Sequence, residues 1–223
     1  MSIGILGGTG PLGRGLAARL ASAGEEVFIG SRDAERAASV AGTLASMWPG
    51  ISAQVSGSSN EAAAKCDSVV VATPWDSAFQ TVRPLAGDLA AKLVISVGTA
   101  LVRQGREVQP VVPARGSVAA SLQAALPESA VAAACHHLPA ERLEDPEDTL
   151  GVDVLVCADA PGTRRAAMEL LARVPGLRPL DAGSLAMAAP VEAFTAVLVS
   201  LNIRYKARTT VRIEGVESGA AGR

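Results

Sequence analysis

The residues that most constrain this chain are GILGGTGPLGRG at positions 4–15. An apolar β-type run over residues 2–6 leads into them. A helical pattern follows over 11–23, with Leu12, Leu16 and Leu20 on one face and Gly24 as a stop. Gly8, Gly10 and Gly13 satisfy G-x-G-x-x-G between that strand and that helix, which is the context in which the spacing signals dinucleotide binding. Gly8 is expected to permit the tight turn, Gly10 to let backbone approach a pyrophosphate, and Gly13 to let the helix pack closely on the strand. The helix start then offers free N–H groups and partial positive charge to the phosphates. Pro11 is compatible with a first helical turn, which needs no donor there. The cofactor-contacting set read from this stretch is Gly8, Thr9, Gly10, Pro11, Leu12 and Gly13. A glycine-rich turn without a ligand is the alternative, and the strand before and helix after argue against it.

Along the rest of the chain, short β-rich runs alternate with Ala-rich helical stretches. This points to an α/β fold, a Rossmann-type, doubly wound, mostly parallel sheet covered by helices. Strands are expected at 26–30, 51–55, 68–73, 92–97 and 131–134, and helices at 33–47, 60–65, 75–85 and 117–126. Residues 98–114 show no readable pattern. The stretch LPAERLEDPEDTLG, from residue 138, is charged and holds two prolines, as a linker or surface loop would. Beyond it a strand is expected at 153–157, a helix at 161–174, a strand at 177–180, an apolar helix at 191–205 and a short strand at 211–215. The chain therefore divides into a nucleotide-binding domain (1–150), a small C-terminal α/β domain (151–216) and a disordered tail (217–223).

The end of the second strand selects the nucleotide. NAD enzymes place an acidic residue there for the ribose diol. Here EEVFIG runs into Ser31 and Arg32, and Arg36 follows one helical turn later. A hydroxyl and two guanidinium groups suit a 2′-phosphate, so the cofactor is expected to be NADP(H), with Thr9 adding a further hydroxyl. The competing reading makes Arg32 and Arg36 surface charges paired with Asp33 or Glu35.

Ligands of a doubly wound sheet lie beyond the carboxyl ends of its strands. The fourth strand ends in ATPWD, which sets Thr73, Pro74 and Trp75 beside the nucleotide. Trp75 either shapes that pocket or is a packing aromatic. AACHHLPA follows the sixth strand and carries the chain's two histidines, His136 and His137. A histidine there can hydrogen-bond a polarised heterocycle. Neighbouring side chains on extended backbone point oppositely, so one of the pair is expected to face the ligand. No acidic or thiol partner stands at metal-ligand spacing. A formal charge of −2 leaves no basic field for a nucleic-acid backbone. No apolar run reaches the roughly 18 residues a membrane span needs, and the N-terminus lacks the basic region of a signal peptide. Cys66, Cys135 and Cys157 are widely spaced and flanked by apolar residues, which reads as buried thiols in a reducing cytoplasm.

On these residues the chain resembles the NADPH-dependent reductases of the deazaflavin coenzyme F420. The segments that carry the resemblance are ILGGTGPLGRGLA, GSRDAERA, TPW, CHHLPA, GLRPLDAG and LNIRYKARTTVRIEG, spread over residues 2–216. It implies a Rossmann domain with a small C-terminal domain closing the cleft, usually as a homodimer. It implies that Thr9, Ser31, Arg32 and Arg36 hold the 2′-phosphate and that His136 and Leu138 lie near the deazaflavin ring. It also implies direct hydride transfer between NADP(H) and F420, with no protein nucleophile or metal. One region departs from the family pattern of an arginine and further polar residues near the start of the C-terminal helix. Here SLAMAAPVEAFTA presents Ala188, Ala189 and Ala193, with Thr195 the remaining hydroxyl. Two rivals follow. One is an NADPH reductase of another small acceptor, an imine or ketone, which would expect a Lys, Tyr or Asp donor in the cleft. The other is a non-catalytic NADPH sensor.

Overall fold

The computed structural model describes residues 1–105 and 107–216. The chain runs β1 (Ser2–Leu6), α1 (Pro11–Ser22), β2 (Glu26–Ser31), α2 (Ala34–Met47), β3 (Val55–Ser59), α3 (Asn60–Ala63), β4 (Ser68–Val71), α4 (Trp75–Val82), α5 (Ala86–Leu89) and β5 (Leu93–Ser96). There follow β6 (Leu101–Gln104), β7 (Glu107–Pro110), α6 (Val118–Ala125), β8 (Ala130–Ala133), α7 (Ala140–Leu143), β9 (Val152–Cys157), α8 (Pro161–Ala172), β10 (Leu177–Gly183) and α9 (Ala188–Tyr205). One sheet has the order β10-β9-β8-β5-β4-β1-β2-β3, and β6 pairs with β7 as a separate antiparallel hairpin. The six strands from β3 to β8 are parallel, while β9 joins β8 antiparallel and β10 runs parallel to β9.

Helices cover both faces, which is why the central strands are apolar throughout rather than alternating. Ile5, Ile29, Val70, Ile95 and Val154 face one core layer with Leu16 and Leu20 of α1. Leu6, Val69, Val71, Val94 and Val131 face the other, with Val82 and Leu122. The chain switches direction of winding between β1 and β4, so the crevice of a doubly wound sheet opens beyond those two strands.

Several expectations are corrected. The third strand lies at Val55–Ser59, four residues beyond the expected 51–55. Ile51 supplied the apolar signal, but it is buried in a 3-10 turn, Pro49–Ile51. The real strand, VSGSS, is a polar edge strand. Its Gly57 lies so close to α2 that a Cβ there would approach the Ala37 carbonyl carbon to 2.2 Å. The alternating residues 211–215 form no strand. Val211 accepts one backbone bond from Asp153, and Ile213 and Val216 are held by the Asp153 and Arg178 side chains instead of a ladder. The unread stretch 98–114 contains the hairpin.

The charged stretch after residue 138 is not a free linker. Leu143 is fully buried against α1, and buried Arg19 donates to the carbonyls of Arg142, Leu143, Pro146 and Asp148. β9 and β10, assigned from sequence to a second unit beginning at 151, extend the same sheet. Residues 217–223, expected to be a disordered tail, lie outside the described residues.

Candidate functional site

The loop after β1 forms the floor of the crevice. Gly7, not Gly8, adopts the left-handed backbone of the tight turn, with φ +65°. Gly8 is instead required for close approach. Its N–H donates to the carbonyls of Ile5 and Gly30, and a Cβ would lie 2.8 Å from the Ile5 oxygen. Gly13 brings α1 onto the loop, where a Cβ would come within 2.6 Å of the Gly8 backbone. Gly10 caps α1 with extended backbone, and a Cβ built there meets nothing within 4 Å. The space a pyrophosphate would need is therefore open, and it sits over the unsatisfied N–H groups of the first turn of α1.

Two adjoining cavities run from this loop and share Gly7, Thr9, Arg36, Thr73 and Pro74, so they form one groove across the carboxyl edge of the sheet. One end is walled by Ser31, Arg32, Arg36, Asn60 and Glu61, with α4 opposite. The other is walled by Pro11, Leu12, Trp75, Gly98 and Thr99. At the first end Asp33 is the N-cap of α2, and its carboxylate accepts from the Arg36 backbone N–H at 3.0 Å. Asp33 is thus occupied by the helix, and neither Arg32 nor Arg36 forms an ion pair among the described residues. The Ser31 hydroxyl accepts from the Asp33 N–H at 3.1 Å and retains its own proton to donate. Thr73 presents a buried hydroxyl with no partner. Trp75 does both things left open from sequence: it lines the groove, and it packs against the second core layer.

The residues expected on the acceptor side sit deeper than the sequence suggested, and His136, Leu138 and Thr195 are not among the residues lining the groove. His136 is 7% exposed, and both of its ring nitrogens are buried without a partner. Burial, with His137 beside it, pushes the imidazole down to about 3, so it is neutral across the physiological range. His137 turns away and bonds the Val191 carbonyl through Nε2 at 2.8 Å, with the Phe194 ring edge-on at 5.4 Å. Leu138 lies in the core layer with Leu143 and not on the groove wall. The Thr195 hydroxyl donates to the His136 carbonyl at 3.3 Å.

Three residues were missed from sequence. Asn60 is 5% exposed, and its Oδ1 accepts from the Gly7 N–H at 3.1 Å, holding the turn from the start of α3. The only signal was a polar side chain at the carboxyl end of a strand. Gly98 brings the loop after β5 against Val118. Glu192 is a buried carboxylate that bonds the start of α6.

Comparison with known proteins agrees with this geometry. Residues 2–100 match the family described as NADP oxidoreductase, coenzyme F420-dependent. The chain is 35% identical to the F420-dependent NADP reductase of Methanocaldococcus jannaschii, over 97% of this chain and 100% of that one. It is 34% identical to the enzyme of the same name from Methanothermobacter thermautotrophicus, over 93% and 92% of the two chains. A solved structure from Arthrobacter sp. FB24, provisionally described as an F420-dependent NADP reductase, superposes with a TM-score of 0.78 at 25% identity, over 93% of this chain and 96% of that one. An open turn over the start of α1, a groove end lined by Ser31, Arg32 and Arg36, and kinship over nearly the whole length together establish that this chain belongs to the F420-dependent NADP reductase family.

Proposed function

We propose that this protein is an oxidoreductase that moves a hydride between NADP(H) and F420. The observation that carries the reading is the groove itself, with a 2′-phosphate end built from Ser31, Arg32 and Arg36 in a chain related to these reductases along nearly its full length. The chemistry of the transfer is supplied by the nicotinamide and the deazaflavin when both are bound. The protein binds, orients and keeps water out. Gly8, Gly10, Gly13 and the start of α1 receive the pyrophosphate, Thr9 joins Ser31, Arg32 and Arg36 at the 2′-phosphate, and Thr73, Pro74, Trp75 and Leu12 border the nicotinamide end. Pro11, at the first position of α1, shapes the same wall.

His136 is proposed to meet the acceptor ring, with Leu138 and Thr195 behind it. Two buried ring nitrogens left unpaired cost about 1–3 kcal/mol each, a cost that a ligand's polar edge would relieve. A neutral imidazole can give one hydrogen bond and accept another there without carrying a positive charge. The imine or ketone reading lacks the expected donor: among the described residues the nicotinamide end presents Thr73 and Thr99 but no Lys, Tyr or Asp.

The test is anaerobic mixing of NADPH with oxidised F420 while the visible absorbance of the deazaflavin is followed. Bleaching is expected. Deuterium at the transferring position of NADPH should appear in reduced F420 with none from solvent, because direct transfer needs the two carbons at roughly 3–3.5 Å with no water between. Tight NADPH binding with no F420 reduction would overturn the reading, in favour of another acceptor or a sensor.

The proposal extends to a homodimer in which α9 forms the seam between subunits. The stretch Leu185–Tyr205 has a mean hydropathy of 1.6 and meets the length of a membrane span, contrary to the sequence expectation. It also carries Glu192, Asn202 and Arg204. Met187 (47% exposed), Pro190, Phe194 (42%), Val197 (49%) and Leu201 recur at intervals of three and four residues along its outer side. Such a narrow apolar stripe suits pairing with a second helix. Val197→Glu should convert a dimer to a monomer in sedimentation; a wild-type protein that sediments as a monomer at micromolar concentration would reject the seam. The three buried thiols support a cytoplasmic location.

A further inference from the structure

One turn of α9 makes three separate attachments to the acceptor side. The Val191 carbonyl holds His137 Nε2, the Thr195 hydroxyl donates to the His136 carbonyl, and the Glu192 carboxylate accepts from the Val118 N–H at 2.8 Å and the Ala119 N–H at 3.1 Å. The last attachment is not needed to start α6, which already has its own cap: Ser117 Oγ accepts from the Ala120 N–H at 2.9 Å. Nor is it an inexpensive way to fill space. Glu192 is 3% exposed and has no Lys or Arg partner among the described residues, and its burial pushes the carboxyl up to about 7 against the pull of the two N–H groups. An apolar side chain of similar size would avoid that desolvation. What the carboxylate adds is a fixed tie between α9 and α6. The start of α6 lies directly behind the groove, since a Cβ on Gly98 would come within 3.1 Å of Val118 Cγ1.

We propose that Glu192 is the positioning residue of the acceptor half: by locking α9 to the start of α6 it seats the His136–His137 segment against the nicotinamide end of the groove. This rests on the acceptor side being where His136 lies, as proposed above. Successive helical residues are about 100° apart around the axis. A carboxylate that grips two adjacent N–H groups therefore fixes the rotation of α9 and, with it, where the Val191 carbonyl and the Thr195 hydroxyl reach the histidine segment.

Glu192→Gln keeps the shape and one acceptor oxygen but turns an N–H donor toward a backbone N–H. The chain's two histidines make the imidazole region of a ¹H–¹⁵N spectrum directly readable. In Glu192→Gln both imidazole signals are expected to shift. The KM for F420 should rise about tenfold, kcat should change less, and the Kd for NADPH should stay within about twofold. Glu192→Asp retains the charge but is one methylene too short, and it should give the same pattern even if the Gln variant fails to fold. Unmoved imidazole signals overturn the proposal, as does a parallel loss of NADPH affinity. Shifted signals with an unchanged KM in an enzyme that reduces F420 overturn it too. If the wild type reduces no F420, the acceptor reading falls by itself, and the imidazole spectra still decide whether Glu192 sets the histidines.

Discussion

Gly10→Val is expected to abolish NADPH binding, with a loss of at least about a hundredfold in calorimetric titration, while the protein stays folded. The φ of −79° and ψ of 169° at Gly10 are backbone angles that valine adopts readily, and a Cβ there meets no protein atom within 4 Å. The protein therefore places no steric demand on this glycine, and the added side chain would obstruct only what comes to lie over the start of α1. Losing the approach of backbone to pyrophosphate removes several charge-assisted hydrogen bonds of about 1.5–3 kcal/mol each. Its neighbours would be poor probes. A side chain at Gly7 would be strained by its φ of +65° and would meet Thr73 Cγ2 at 2.5 Å, and one at Gly13 would collide with Gly8. Near-normal NADPH binding by a folded Gly10→Val protein would show that the phosphates lie elsewhere.

Arg32→Ala should weaken NADPH binding about tenfold to a hundredfold and leave NADH nearly unchanged. A guanidinium that meets a phosphate contributes about 1.5–3 kcal/mol, and NADH has no 2′-phosphate to lose it. Arg32 is exposed, lines the groove beside Ser31 and Arg36, and has no ion-pair partner among the described residues. Its removal therefore breaks nothing in the free protein, and the melting temperature should hold. Equal losses for the two nucleotides would show that the arginine serves the pyrophosphate or the fold instead of selecting NADP.

The glycine turn and the strand end at Ser31 and Arg32 were legible because their pattern is local. Glycine spacing, the strand before it and the helix after it all lie within about twenty residues, and Ser31 and Arg32 follow the next strand directly. Even there one assignment moved. The left-handed turn belongs to Gly7, which precedes the G-x-G-x-x-G spacing, and only the backbone angles show it. Asn60 was invisible for the opposite reason: its partner, the Gly7 N–H, lies 53 residues away in sequence. The expected strand at 51–55 failed because hydrophobicity marks burial, and Ile51 is buried in a turn while the true edge strand is serine-rich. The expected strand at 211–215 failed because alternation marks a half-buried extended segment, and this one is held by Asp153 and Arg178.

By itself the sequence determined the α/β alternation, the dinucleotide cradle at the first turn and the absence of a carboxylate where NAD would need one, because each is a property of neighbours along the chain. Tertiary structure alone decided that β9 reverses direction yet stays in the same sheet, and that Arg19 pins the charged segment after residue 138 to α1. It also decided that His137 belongs to α9 while His136 is left neutral and unpaired, and that a buried Glu192 ties α9 to α6. Those are pairings between groups as much as 129 residues apart. No local pattern encodes them, since a buried hydrogen bond is specified by which elements pack together and not by the residues flanking either partner.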